Sequence, residues 1–365
     1  MKNDRQKKIS FCITCMNRLR HIKETLKKNI EDNNLIGDVE FVLLDYNSSD
    51  NMEEWVKNEM KAYIHTGVLV YYKTLTPEYY HRSHSRNMVF RLANSKLLCN
   101  LDADNFLGEG FALEMIREFS IRDDIFYTSD CSSQDIFGRV IVCYNDFHSI
   151  CGYNESLKGY GHEDVDLFSR LAKKGLTHLF FHNQDYYNVI RHSKEERIEN
   201  EYFYKNIDFI YISYTNPYTS KVIFFYKNHT YEYGVFIDSK HLRYLQQNID
   251  ANTDTYEENS INEDKIILEN FLIIDEWKES KNHILFTRND TDITFKRDTF
   301  TFVCKGEIFY RVDDTNLKTE ILIIRSRSTN TLQSEYDINK EINIDGYGKG
   351  TVFKNFNYDS PIYLT

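Results

Sequence analysis

The strongest constraint on this 365-residue chain is a series of short apolar runs, each ending in a polar or acidic turn. Residues 8–15, 39–45, 67–73 and 97–101 are too short for core helices and rich in β-branched, aromatic and other apolar residues, so they read as buried strands. Between them lie segments of helical character: Ile22, Leu26 and Ile30 after Arg18, then residues 51–62 and 83–94. Fully apolar strands alternating with helices give a mostly parallel sheet covered on both faces. Such sheets bind ligands at the carboxyl ends of their strands. Here those ends carry Asp45 and the D-x-D triplet Asp102-Ala103-Asp104.

Further along, a helix near 110–120 and strands near 125–129 and 139–144 are expected, then a glycine-bearing loop at 152–161. A helix over 163–174 is stopped by Gly175, and 179–190 reads as strand, turn and strand. From about residue 216 the pattern changes to separate β-type runs at 222–226, 233–237, 266–268, 300–304 and 321–324, with a polar loop at 248–264. That spacing predicts an antiparallel sandwich or barrel-like unit. Two domains follow: an α/β domain over 1–215 and a β-rich accessory domain over 216–365.

A formal net charge of −11 argues against a nucleic-acid partner, because binding a phosphate backbone needs a basic surface. No stretch approaches the roughly 18 apolar residues of a membrane-spanning helix, and the polar first ten residues lack the apolar core of a secretory signal. The expectation is a cytoplasmic protein. Seven scattered cysteines fit reduced thiols rather than a disulfide framework. Cys12 and Cys15 have C-x-x-C spacing, but two cysteines at the end of a buried strand is the simpler reading than a redox pair. The 27 Tyr and 25 Phe serve equally as core or as platforms for sugar rings.

Three stretches carry candidate chemistry. Asp102 and Asp104 on a tight turn can face one hard divalent cation, Mn²⁺ or Mg²⁺, although D-x-D by itself is also a common structural turn. Glu163 and Asp164 are adjacent carboxylates where a glycine-rich loop, Gly159-Tyr160-Gly161-His162, enters a helix. That position complements the helix dipole, and it also lets two carboxylates take different protonation tasks. His192 follows an apolar segment and could add a nitrogen ligand if it reaches the D-x-D turn.

Together these stretches, within residues 8–197, resemble a GT-A glycosyltransferase of the β-1,4-galactosyltransferase and chondroitin-polymerase type. Leu101-Asp102-Ala103-Asp104 resembles the family's D-x-D strand end, and Ile190-Arg191-His192-Ser193 its metal-histidine segment. The stretch from Gly159 to Leu171 is similar to the family's G-W-G-G-E-D-D-D-I-F-N-R-L, and Ser85-Arg86-Asn87 to its S/A-R-N. The resemblance implies an inverting, metal-dependent transfer of a hexose or N-acetylhexosamine from a UDP-sugar to a glycan or lipid-linked acceptor. It implies Asp164 as catalytic base, Glu163 and Tyr160 at the acceptor, and Asp45, Arg86, Asp102 and Gly161 at the nucleotide-sugar. Asp102, Asp104 and His192 would hold Mn²⁺ or Mg²⁺. The loop around 152–162 would close over the donor. Tyr160 stands where the animal enzymes have tryptophan, and Val189 where they have a methionine metal ligand. Bacterial surface polysaccharide synthesis at the inner face of the membrane is the expected setting, with the accessory domain serving oligomerisation or glycan binding. The competing reading is a non-catalytic carbohydrate-binding or scaffold protein.

Overall fold

A computed structural model describes residues 7–35, 37–130, 134–216, 219–238, 266–288 and 291–365; the polar loop expected at 248–264 lies outside them. The chain forms two compact units, Met1–Ser193 with Gln333–Thr365, and Lys194–Leu332.

In the first unit the elements run β1 (Lys7–Cys15), α1 (Leu19–Asn33), β2 (Val39–Tyr46), α2 (Met52–Glu59), α3 (Lys61–His65), β3 (Leu69–Thr74), α4 (Arg82–Leu92) and β4 (Ser95–Asn100). They continue through α5 (Phe111–Ile121), β5 (Ile125–Thr128), β6 (Val140–Cys143), α6 (Tyr144–Ser149), α7 (Glu163–Lys173) and β7 (Thr177–Phe180). The strands β3-β2-β1-β4 lie side by side and parallel, and β6 runs antiparallel between β4 and β5. This is the mostly parallel α/β sheet expected for a GT-A domain. Alternate residues of β1 go to opposite cores: Ile9, Phe11 and Ile13 pack with Ile22, Leu26 and Ile30 of α1, while Cys12 packs with Met88 and Phe90 of α4. Burial on both faces is why these strands are apolar throughout. It also pushes the Cys12 and Cys15 thiols up, which suits inert core residues rather than a redox pair. The second strand expected within 179–190 is replaced by a 3-10 turn over Gln184–Tyr187 and a single bridge between Asn105 and Val189.

The second unit begins with two short helices, α8 (Lys194–Ile198) and α9 (Tyr202–Asn206). Its strands are β8 (Ile207–Asn216), β9 (Thr219–Tyr226), β10 (Thr230–Asp238), β11 (Ile266–Ser280), β12 (His283–Arg288), β13 (Thr291–Lys296), β14 (Thr301–Cys304) and β15 (Glu307–Arg311). They form one antiparallel sheet in the order β13-β12-β11-β10-β9-β8-β15-β14. The outermost strands face each other through Phe295 and Phe302, whose rings stack 4.5 Å apart, so the sheet coils around an aromatic core.

The run 321–324, expected as a strand, lies instead in a 23-residue helix, α10 (Thr315–Asp337). Four apolar residues fit either period, and here the flanks decide. The Leu317 amide donates to Asp314 Oδ1 at 2.7 Å, which caps the helix start. Arg325 then makes a two-point, buried ion pair with Glu232 of β10, at 2.7 Å for each bond.

The boundary also differs from the one expected at 215/216. The last residues return to the first unit because β16 (Gly350–Lys354) pairs antiparallel with the edge strand β3, and β17 (Ile362–Leu364) pairs with β16. Gly348 sits where this returning segment crosses α4. It has φ +56°, and a Cβ there would lie 2.7 Å from both the Asn87 carbonyl carbon and the Met88 nitrogen. Backbone cannot yield as a side-chain tip can. Gly348→Ala is therefore expected to cost about 1–3 kcal/mol, read as a lower thermal unfolding midpoint.

Candidate active site

Three segments far apart in sequence converge at the carboxyl end of β4. Arg86 comes from α4, Asp102 from the turn after β4, and Glu163 and Asp164 from the first turn of α7. The Arg86 side chain is buried, and its Nη1 donates to Asp164 Oδ1 at 2.8 Å and to Glu163 Oε1 at 3.3 Å. Nη2 donates to Asp102 Oδ1 at 3.3 Å. Asn100 Nδ2 steadies the arrangement by donating to Asp102 Oδ1 at 3.1 Å and to the Gly138 carbonyl at 2.9 Å. Arg86 thus lies among three carboxylates.

Burial dominates the protonation of Asp164. Desolvation raises its pKa, Arg86 opposes this, and the charges of Glu163 and Asp102 add to the rise, leaving the carboxyl at about 7. Glu163 Oε2 is buried with no hydrogen-bond partner among the described residues, so there this carboxylate keeps one acceptor unused. Tyr160 and Gly161 lie on the loop just before these residues. Gly161 has φ +95°, which a glycine adopts without strain. The Tyr160 ring stacks on Arg82, with the guanidinium 4.7 Å from its centroid. Arg82 Nε in turn lies 3.9 Å from Glu163 Oε1.

The two halves of the D-x-D turn have separate partners. Asp102 faces Arg86, whereas Asp104 Oδ2 accepts a hydrogen bond from His192 Nε2 at 2.7 Å. Backbone pairing sets up that second contact, since the Phe106 amide donates to Asn188 O at 2.9 Å and the Ile190 amide to Asp104 O at 2.8 Å. Burial works against the Asp104 charge, but the hydrogen bond and charge of His192 outweigh it and hold the carboxyl below its usual range. The pair brings a carboxylate oxygen and an imidazole nitrogen together, donor types suited to Mn²⁺-class metals. Among the described residues no three His, Cys, Asp or Glu side chains form a closed cluster. Asp104 and His192 are the neighbouring donors at this turn, while Asp102 is bonded to Arg86.

Asp45 stands apart from both groups. It is fully buried, and its carboxylate accepts from Tyr71 Oη at 2.7 Å and the Ser48 amide at 2.8 Å, with Lys73 Nζ 3.5 Å away. Its visible task is to fix the turn after β2. That turn borders an open polar pocket of about 370 Å³ lined by Ser48, Asn51, Glu53, Lys57 and Lys73, among others.

Several contributors gave no motif-like signal in the sequence. Arg139 is fully buried and binds Asn105 Oδ1, Phe106 O and Tyr186 O, gripping the segment after the D-x-D turn. The start of the glycine-bearing loop is pinned from two sides. Glu155 Oε1 accepts from Asn87 Nδ2 at 2.8 Å and the Gly348 amide at 2.6 Å. Asn343 Nδ2 donates to Cys151 O at 2.8 Å and Tyr153 O at 2.7 Å. The first part of the 152–162 segment is thus tied to α4 and to the returning C-terminal segment.

Residues 10–139 match the family model described as glycosyl transferase family 2, and residues 126–193 match that described as the N-terminal domain of galactosyltransferase. The two matches overlap and together cover the D-x-D turn, the Glu163-Asp164 pair and His192. Residues 10–193 are thus similar in sequence to glycosyltransferase families. Similar solved structures include a mannosyltransferase from Pyrobaculum calidifontis in complex with GDP-Man and Mn²⁺, 13% identical with a TM-score of 0.41, over 49% of this chain and 56% of that one. S. aureus TarS 1-349 is 13% identical with a TM-score of 0.41, over 48% of this chain and 58% of that one. GalNAc-T7 with UDP, GalNAc and Mn²⁺ is 14% identical with a TM-score of 0.40, over 48% and 43%. The aligned part spans less than two thirds of each of these proteins. No curated protein matches the chain.

Gly138 leads to a direct test of the carboxylate–arginine cluster. A Cβ on it would fall 2.9 Å from Arg86 Nη2, 3.1 Å from Asp164 Oδ2 and 3.3 Å from Asp102 Oδ2. Gly138→Ala should fold normally yet displace the cluster, lowering kcat by roughly 10- to 100-fold, measured in steady-state transfer assays beside an unchanged far-ultraviolet CD spectrum.

Proposed function

We propose that this protein is an inverting, metal-dependent glycosyltransferase, moving a hexose or N-acetylhexosamine from a UDP-sugar onto a hydroxyl of a glycan acceptor. The observation that carries this reading is Asp164, a buried carboxylate poised at about 7 beside an unused oxygen of Glu163. A general base works best when its pKa lies near the working pH. Glu163 Oε2 is the acceptor that a sugar hydroxyl would need to be oriented, and Tyr160 on Arg82 offers a flat apolar wall beside it.

Asp164 then takes the proton of the acceptor hydroxyl as that oxygen bonds to the anomeric carbon. The bond from that carbon to the diphosphate oxygen breaks with its electron pair, and attack from the opposite face turns an α-linked donor into a β-linked product. Arg86 keeps Asp164 aimed and favours its ionised form, the one that accepts the proton. Asp104 and His192 would hold the divalent cation, which when bound neutralises charge on the departing diphosphate. The nucleotide is assigned to the region of the turn that Asp45 fixes, with Asp102 and Gly161 lining the sugar.

The acceptor is proposed to be a glycan or lipid-linked oligosaccharide of a bacterial surface polysaccharide, met at the cytoplasmic face of the membrane. No helix among the described residues is long and apolar enough to cross one. The coiled β unit is proposed to serve oligomerisation or glycan binding.

Because Asp164 must be ionised to accept a proton, a raised pKa places the loss of activity on the acid side. The rate should climb with pH through about 7 and level off above it; a profile flat between about pH 5.5 and 8.5 would set Asp164 aside as the base. Asp164→Asn should lower kcat by about 10²- to 10⁴-fold while UDP-sugar binding, followed by calorimetry, persists. Chelation of divalent ions should abolish transfer and Mn²⁺ should restore it; a protein that bound no nucleotide-sugar under either condition would be a carbohydrate-binding module instead.

A further inference from the structure

Helix α1 presents a polar stripe, Thr25, Asn29 and Asn33, spaced four residues apart on one face and almost wholly buried, at 2%, 1% and 2% exposure. Polar side chains are buried in this way only when they are hydrogen-bonded, and each of these bonds the backbone of the segment that follows β4. Asn33 donates to Gly108 O at 2.9 Å and accepts from the Ala112 amide at 2.8 Å. Asn29 donates to Asn105 O at 2.9 Å and accepts from the Leu107 amide at 2.8 Å. Thr25 Oγ1 reaches Ala103 O, the carbonyl of the residue between the two aspartates, at 2.7 Å, closer than its own helix carbonyl, His21 O, at 3.1 Å.

We propose that Thr25 is a positioning residue for the D-x-D turn. Its hydroxyl fixes the Ala103 peptide, so that Asp102 stays on Arg86 while Asp104 meets His192. The inference rests on the reading of Asp104 and His192 as the holders of the divalent cation. The two asparagines hold the far part of the segment, each through both atoms of its amide, and Arg139 holds the middle from the other side. Removing the Thr25 hydroxyl therefore loosens the turn next to the two carboxylates and leaves the rest in place. Outer partners that orient metal ligands typically contribute about 10- to 100-fold in metal affinity.

Thr25→Val keeps the shape of the side chain and deletes the hydroxyl; Thr25→Ser keeps the hydroxyl. The Kd for Mn²⁺ in the presence of UDP, followed by the electron paramagnetic resonance signal of the free ion, should rise about ten-fold or more in T25V. In T25S it should return close to the wild-type value, with all three proteins sharing one far-ultraviolet CD spectrum and a cooperative unfolding transition. A T25V protein that binds Mn²⁺ as the wild type does would overturn the inference, as would failure of T25S to recover affinity. Should T25V not fold, Thr25→Ala gives the same comparison without a methyl group against the carbonyl. Asp104→Ala, measured alongside, tests the underlying reading. If it binds Mn²⁺ like the wild type, the metal assignment falls and the role of Thr25 with it; if it does not bind while T25V binds normally, only the role of Thr25 falls.

Discussion

One guanidinium organises the first unit. Arg86 is buried among Asp102, Glu163 and Asp164, so a single positive charge faces three carboxyl groups with little water to share the field. Ions taken from water at that cost persist only when their partners are close and well directed. Burial, with the charges of Glu163 and Asp102 adding to it against Arg86, lifts the carboxyl of Asp164 to about 7. The same contact joins α4, the end of β4 and the start of α7. The ion cluster around Asp164 is therefore also what holds the three motifs together.

The D-x-D turn shows how a compact motif divides its work. Two residues apart on a tight turn, its carboxylates reach different partners, one in the arginine cluster and one on His192. His192 arrives there because residues 188–190 bond the backbone of residues 104–106, and its ring then packs edge-on against His21. Behind the turn, α1 and Arg139 satisfy the buried carbonyls of a segment that has no regular secondary structure. Unsatisfied, those groups would each cost about 1–3 kcal/mol.

The C-terminal residues have a comparable part. They extend the sheet past β3 and bind the loop leading to Glu163 through Asn343 and the Gly348 amide. In the second unit, the closing stack of Phe295 on Phe302 and the Glu232–Arg325 pair do the equivalent work of tying a sheet to itself and a helix to the sheet.

The sequence by itself determined the local order: which runs are strands, where helices start, and that Asp102, Asp104, Glu163 and Asp164 stand at strand ends and at a helix N-terminus. Those properties follow from side-chain period and from neighbours a few residues away. It was also enough to tell a parallel α/β region from a β-rich one. It misread residues 321–324, because four apolar residues carry no period of their own, and it could not see residues 339–365 returning to the first sheet, since strand pairing is decided by partners nearly 300 residues distant. Tertiary structure alone decided that Arg86 serves the carboxylates, that Asp45 is sealed behind Tyr71 and Lys73, and that Asp104 rather than Asp102 meets His192. Charge partnership and desolvation depend on distances through space and on the exclusion of water, and neither is encoded in the spacing of residues along the chain.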